Sequence, residues 1–225
     1  METYDVMRTT FAARDFTADP VPDEVVHRIL ENARFAPSGG NRQGWHVIVV
    51  RDKAKRAALG QLIEPTIRRY LAEVNAGANP LNTIEPAQID QTTIDATPIP
   101  SGFIHRLTDA PLLLLVTVDL SVVAAMDRDL SRIGVVPGAS IYPFVWNILL
   151  AARNEGLGGT LTTLVVAMEP KVKELFGIPD RHAVAALLPI GKPVKQLTSL
   201  RRGPVQAFTT VDAFDGDPFG GPPSA

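Results

Sequence analysis

Between Pro37 and Gln43 the chain reads Pro-Ser-Gly-Gly-Asn-Arg-Gln. The two glycines let backbone N–H groups come close to a ligand, while Ser38, Asn41 and Gln43 add side-chain donors and acceptors. Arginine is the second carrier of chemistry. Arg8 and Arg14 near the start, with Arg201 and Arg202 in the tail, offer the planar donor fork that suits a phosphate. Taken alone, such an arginine is more often a solvated surface charge, and such a run more often a turn. Other chemistries lack carriers. His27, His46, His105 and His182 share no metal-ligand spacing, neither His-Glu-x-x-His nor Gly-x-Ser-x-Gly occurs, and there is no cysteine. Gly156-Leu157-Gly158-Gly159 invites a dinucleotide-binding reading, but that turn must follow a strand and open a helix. Here the order is reversed, and no P-loop motif occurs elsewhere.

These groups need elements to hold them. Thr3 to Thr10 suits a short helix. Val25, Val26, Ile29, Leu30 and Ala33 recur at helical spacing after Pro22, which suits a first helical position. The Pro37–Asn41 run breaks that helix, and Trp45 to Arg51 follows as a buried strand. A helix starts at Lys53, and Glu64 to Val74 is helical again. Asn75 to Gly102, rich in Asn, Thr, Pro and Gly, suits a lid, so that 64–104 forms an excursion over a site. Leu112 to Val118 is apolar throughout, as a strand covered on both faces would be. Ala139 to Asn154 is a helix apolar nearly all round, central or at an interface, with Gly156 as its cap. Thr160 to Val166 and Ala183 to Ile190 are further strands, with a helix over Glu169 to Phe176 between them. Strands among helices without regular βαβ alternation indicate an α+β fold. The tail from Lys195 turns Gly- and Pro-rich and suits a surface position. No internal repeat is present.

The 225 residues, 45% hydrophobic and 20% charged, fit a globular domain with a real core. A net charge of −2 speaks against nucleic acid, whose binding needs a basic footprint. No run approaches the ~20 apolar residues that span a bilayer, and the N-terminus lacks the pattern of a signal peptide. The expectation is a cytoplasmic protein with neither nucleic acid nor membrane as partner.

Several segments, in order, resemble the nitroreductase family of flavoproteins. They are Arg14-Asp15-Phe16 with Pro20-Val21-Pro22, Ala36-Pro37-Ser38-Gly39-Gly40-Asn41-Arg42-Gln43-Gly44-Trp45, and Ala110-Pro111 before an apolar strand. Asn147 through Gly158 and Leu188-Pro189-Ile190-Gly191-Lys192-Pro193 complete the set, so the likeness spans about residues 5 to 205. It implies a sandwich with a mostly antiparallel sheet flanked by helices, in an intertwined homodimer that exchanges terminal segments and holds two FMN at the interface. Residues 1–205 would be the FMN-binding domain and 206–225 a surface tail. By the same resemblance, Arg14 and Arg202 match phosphate-binding positions, with Arg8 in reserve. Pro37, Ser38, Gly39 and Asn41 match a turn that reaches the flavin from the partner chain, Gln43 the polar residue after it, and Ser140 a polar flavin contact. Leu161, Thr162 and Thr163 match a strand end whose N–H groups approach N5 and the pyrimidine edge.

Three departures from the family pattern carry consequences. Phe11 replaces a second phosphate-binding Arg, leaving Arg8 or a weaker hold. Gly44 replaces a Pro, which should loosen the turn. Thr162-Thr163 replaces an acidic pair member, so the hydrogen bond near N5 would come from backbone or hydroxyl. The implied activity is ping-pong hydride transfer from NADH or NADPH through FMN to a nitroaromatic, quinone, enone or free flavin. No side-chain acid or base is needed, because the cofactor carries the chemistry. Tyr70 and Phe103 are candidates for stacking on substrate, each equally suited to packing. Rival readings are a flavin-binding store or sensor, a cofactor-free scaffold, and a flavin-cleaving or dehalogenating branch. The dehalogenating type pairs a Glu and a Tyr four apart, whereas Glu64 and Tyr70 here are six apart.

Overall fold

Four antiparallel strands order as β1-β2-β4-β3, with β1 at Trp45–Val49, β2 at Leu112–Asp119, β3 at Gly158–Gly159 and β4 at His182–Gly191. The structure, a computed structural model, describes residues 1–220. Strand β2 shows why its sequence is continuously apolar. Side chains alternate across a strand: Leu112, Leu114, Val116 and Val118 enter one core, Leu113 and Leu115 the other. The first core is closed by α2 (Asp23–Ala33) and α6 (Tyr142–Asn154), the second by α3 (Lys53–Asn75), α5 (Phe103–Thr108) and α7 (Glu169–Phe176). Helices α1 (Thr3–Thr9) and α4 (Gln91–Ala96) lie outside these layers, α1 against α6 and α4 against α3. The α+β sandwich expected from the sequence is what forms.

The structure redraws several boundaries. Helix α3 runs unbroken through Pro65, although the sequence suggests two pieces. A proline removes one intrahelical hydrogen bond. Leu59, Ile63 and Ile67, all fully buried, clamp the helix to the core on both sides of that gap. Pro22 precedes α2 as its cap residue, not as its first helical residue. Helix α6 begins only at Tyr142, after a 3-10 turn over Val136–Ser140, and two of its apolar residues, Tyr142 and Trp146, are 40% and 44% exposed. The segment from 75 to 102, rich in Asn, Thr, Pro and Gly, contains helix α4.

The expected strand over Thr160–Val166 is the largest correction. Only Gly158–Gly159 forms a ladder with β4, followed by a lone bridge between Thr162 and Leu187. Thr160 N–H reaches the Pro189 carbonyl at 3.2 Å, but Pro189 has no N–H to return, so the ladder is half made there. Beyond Thr163 the chain turns into a 3-10 segment at Val166–Met168. In the tail, Val205–Ala207 forms another such turn and Thr210 bridges Pro218; residues 221–225 of the expected surface tail lie outside the described residues. No described helix is long and apolar enough to cross a membrane.

Candidate functional site

The half-made ladder between 160 and 163 creates the site. Thr162 exchanges both backbone hydrogen bonds with Leu187, at 3.0 and 2.9 Å, so its neighbours face away from β4. Among the described residues the Leu161 and Thr163 N–H groups have no protein acceptor, and both residues line a cavity of about 410 Å³. Beside them runs the N-terminal loop. Ala13 N–H donates to the Gly159 carbonyl at 3.0 Å, Thr17 N–H to Lys192, and Val194 N–H to Asp15, which brings Arg14 into the same cavity wall. Glycine is needed for this approach: a Cβ at Gly158 would lie 2.7 Å from Pro193 and 3.1 Å from Ala13. The Arg14 guanidinium holds only the Ala12 carbonyl, at 3.3 Å, among the described residues and stays exposed.

The rest of the lining comes from α3, α5 and the loop between α3 and α4: Ile67, Tyr70, Leu81, Phe103, Arg106 and Leu107. Half-buried Arg56 fixes the far end of α5 by donating to the carbonyls of Val50, Thr108 and Ala110, and its partial burial pulls its pKa below the usual arginine value. Glu73, 2% exposed, secures the loop by accepting from Arg69 and from Leu81 N–H. Burial alone would raise its carboxyl pKa, but these hydrogen bonds outweigh that and hold it below the ordinary value. Leu81 adopts a positive φ of 56° at that anchor.

The Ser38–Gln43 turn forms a second centre outside this cavity. Gly39 N–H donates to Ser140 Oγ at 3.2 Å, Gln43 N–H to Ser38 Oγ at 2.9 Å, and Gln43 Nε2 to Asn41. Asn41 and Gln43 both sit at positive φ, 54° and 49°, with Gly40 at 61° between Gly39 and Asn41. Backbone strain of this kind concentrates at ligand sites. Gly44 does not loosen the turn as expected. Its carbonyl accepts from Asp119 N–H at 2.8 Å, and a Cβ there would lie 2.6 Å from Val122, so the backbone is packed too closely for a larger residue.

One chain thus gathers Arg14, Tyr70, Phe103, Leu161, Thr162 and Thr163, and separately Pro37, Ser38, Gly39, Asn41, Gln43 and Ser140. Arg8, on α1 above the Tyr4 ring, and Arg202, bonded to the Arg201 carbonyl, lie at neither centre. Arg106 was missed from the sequence, although it stands three residues after Phe103. No described group of histidines and carboxylates could hold a metal. Glu64 lies away from Tyr70, paired to Arg68 at 2.6 Å and lining a different cavity with Lys53 and Arg56.

An apolar cleft with an arginine at one end and unpaired peptide N–H groups along one wall suits a planar heteroaromatic ring bearing a phosphate. Fold and site together define an α+β protein of the nitroreductase-like class. The model of the Nitroreductase family matches residues 7–192, and the chain belongs to that family. It is 25% identical over 214 residues to human iodotyrosine deiodinase 1, covering 93% of this chain and 68% of that one. Among solved structures, iodotyrosine deiodinase bound to FMN and 3-iodo-L-tyrosine superposes with a TM-score of 0.68 at 22% identity, covering 95% of this chain and 100% of the other. The NADPH:FMN oxidoreductase of Vibrio harveyi complexed with NAD+ gives 0.67 at 20% identity, covering 94% and 77%. At these identities the structural likeness establishes the shared fold.

Proposed function

We propose that the chain is an FMN-dependent oxidoreductase that takes hydride from NADPH or NADH and passes it to a small electron-poor acceptor such as a nitroaromatic or quinone. The observation that carries this reading is the juxtaposition of Arg14 with the unpaired Leu161 and Thr163 N–H groups in one cavity. Arg14 would hold the phosphate, and the two peptide donors would face the polar edge of the ring. Bound there, FMN would supply two-electron chemistry that no side chain of this protein offers. The protein's own part is positioning: Ile67, Leu107 and Leu161 exclude water, while Tyr70, Phe103 and the loop held by Glu73 cover the cleft. The Ser38–Gln43 turn, shaped for a ligand yet outside the cavity, would complete the site of a second copy, making the working unit a homodimer.

Dehalogenation is the second reading, favoured by the likeness to iodotyrosine deiodinase 1. Against it stands the carboxylate supply. Glu64 opens onto another cavity, and Glu73 is occupied by Arg69 and Leu81, so among the described residues no free carboxylate lines the cavity with Tyr70. The test is anaerobic bleaching of the FMN-reconstituted protein by NADPH and by NADH, followed by reoxidation with 4-nitrobenzamide or 3-iodo-L-tyrosine. Bleaching by a nicotinamide and reoxidation by the nitro compound are expected. Reoxidation by the iodotyrosine alone would select the second reading, and failure to take up FMN would remove both.

A further inference from the structure

Among the described residues, the part of the lining drawn from α3, α5 and the loop after α3 contains a single cation, Arg106. The Arg106 guanidinium makes no hydrogen bond among the described residues. Its one charged neighbour is Asp15, whose carboxylate lies 3.7 Å from Nε while both side chains stay exposed, at 49% and 69%. An exposed pair at that distance is worth little and yields readily to a better acceptor. Arg106 also lies one turn beyond Phe103 on the same helix, and residues three apart are neighbours on a helix surface. Phe103, Tyr70 and Arg106 therefore bring two aromatic rings and a donor fork without a hydrogen bond to the cavity that Arg14 also lines, and among the described residues no carboxylate lines it. The positive character is local, since the chain as a whole carries a net charge of −2.

We infer that Arg106 is a specificity-determining residue that selects aromatic ligands bearing a carboxylate or similar anionic group for the second position in this cleft. The inference rests on the reading of the cleft as a flavin site, in which Arg14 is committed to the cofactor phosphate and Arg106 is left for the second ligand. An aromatic body would stack against Phe103 or Tyr70, and its carboxylate would meet Arg106 in a two-point, charge-assisted contact. Nothing on this wall offers the same to a neutral ligand.

The probes are 4-nitrobenzoate and its neutral isostere 4-nitrobenzamide, titrated calorimetrically into the oxidised, FMN-reconstituted full chain. Wild type is expected to bind the benzoate about tenfold more tightly, the range of one charged hydrogen-bonded contact. Arg106→Gln should erase that preference and Arg106→Lys should keep part of it, with FMN content unchanged in both. The inference is overturned by equal affinity of the two probes for wild type, or by a preference that survives in Arg106→Gln. It is also overturned if FMN retention falls in Arg106→Gln as far as in Arg14→Ala, because Arg106 would then belong to the phosphate. Calorimetry needs no turnover, so a protein that fails to bleach with a nicotinamide would defeat the oxidoreductase reading and still report the selectivity.

Discussion

Arg14 is the residue on which cofactor retention should turn. It is held in the cavity wall by backbone pairing of its neighbours, not by ion pairs of its own, so its removal leaves the fold intact. Arg14→Ala should weaken FMN binding by about 1.5–3 kcal/mol, the cost of losing a hydrogen bond to a charged group. A fluorescence titration of the apoprotein measures this, and unchanged affinity would take the phosphate away from Arg14. Arg14 could be placed from the sequence because it opens the Arg14-Asp15-Phe16 segment of the resemblance, and Thr162 and Thr163 because they follow closely on the segment that ends at Gly158. Arg106 was not, since Phe103 closes a stretch poor in periodicity and the short helix α5 leaves too few turns to show a pattern. The consequence of Gly44 was misjudged because the crowding by Val122 is a tertiary contact, invisible locally.

At the scale of elements, the site depends on loops tied down by buried carboxylates. Asp127, 3% exposed, accepts from Val135 N–H, Val136 N–H and Arg132, and so shapes the approach to the 3-10 turn that carries Ser140. The Val135 N–H bond, then the Arg132 bond, depress its pKa to about 2. An unfolded aspartate titrates near ~3.9. A depressed carboxylate stabilises the fold fully above its unfolded value and loses that contribution as pH falls toward 2. Asp127→Asn should therefore be less stable than wild type at pH 7, with the gap closing between about pH 4 and 2. Denaturant melts across that range measure it, and a constant gap would refute the assignment. Strong patterns such as β2 and α2 were legible because burial and periodicity agree. The expected strand at 160–166 failed because its outcome depends on Pro189, which lies across the sheet and far along the chain.

For the whole molecule, the sandwich buries both faces of the sheet yet leaves an apolar surface at the start of α6. Val135, Tyr142 and Trp146 are exposed there beside a hollow of about 790 Å³. Exposed apolar surface of this kind marks association sites. Together with the two separate residue clusters around Arg14 and around Ser38, it favours the proposed site assembled from two copies. Sedimentation of the FMN-reconstituted protein, with absorbance read at both protein and flavin wavelengths across a dilution series, tests that account most directly. The expected result is one FMN per chain on a two-chain particle, with flavin released as the particle dissociates. A monomer that retains FMN, or a dimer that never takes it up, would contradict it.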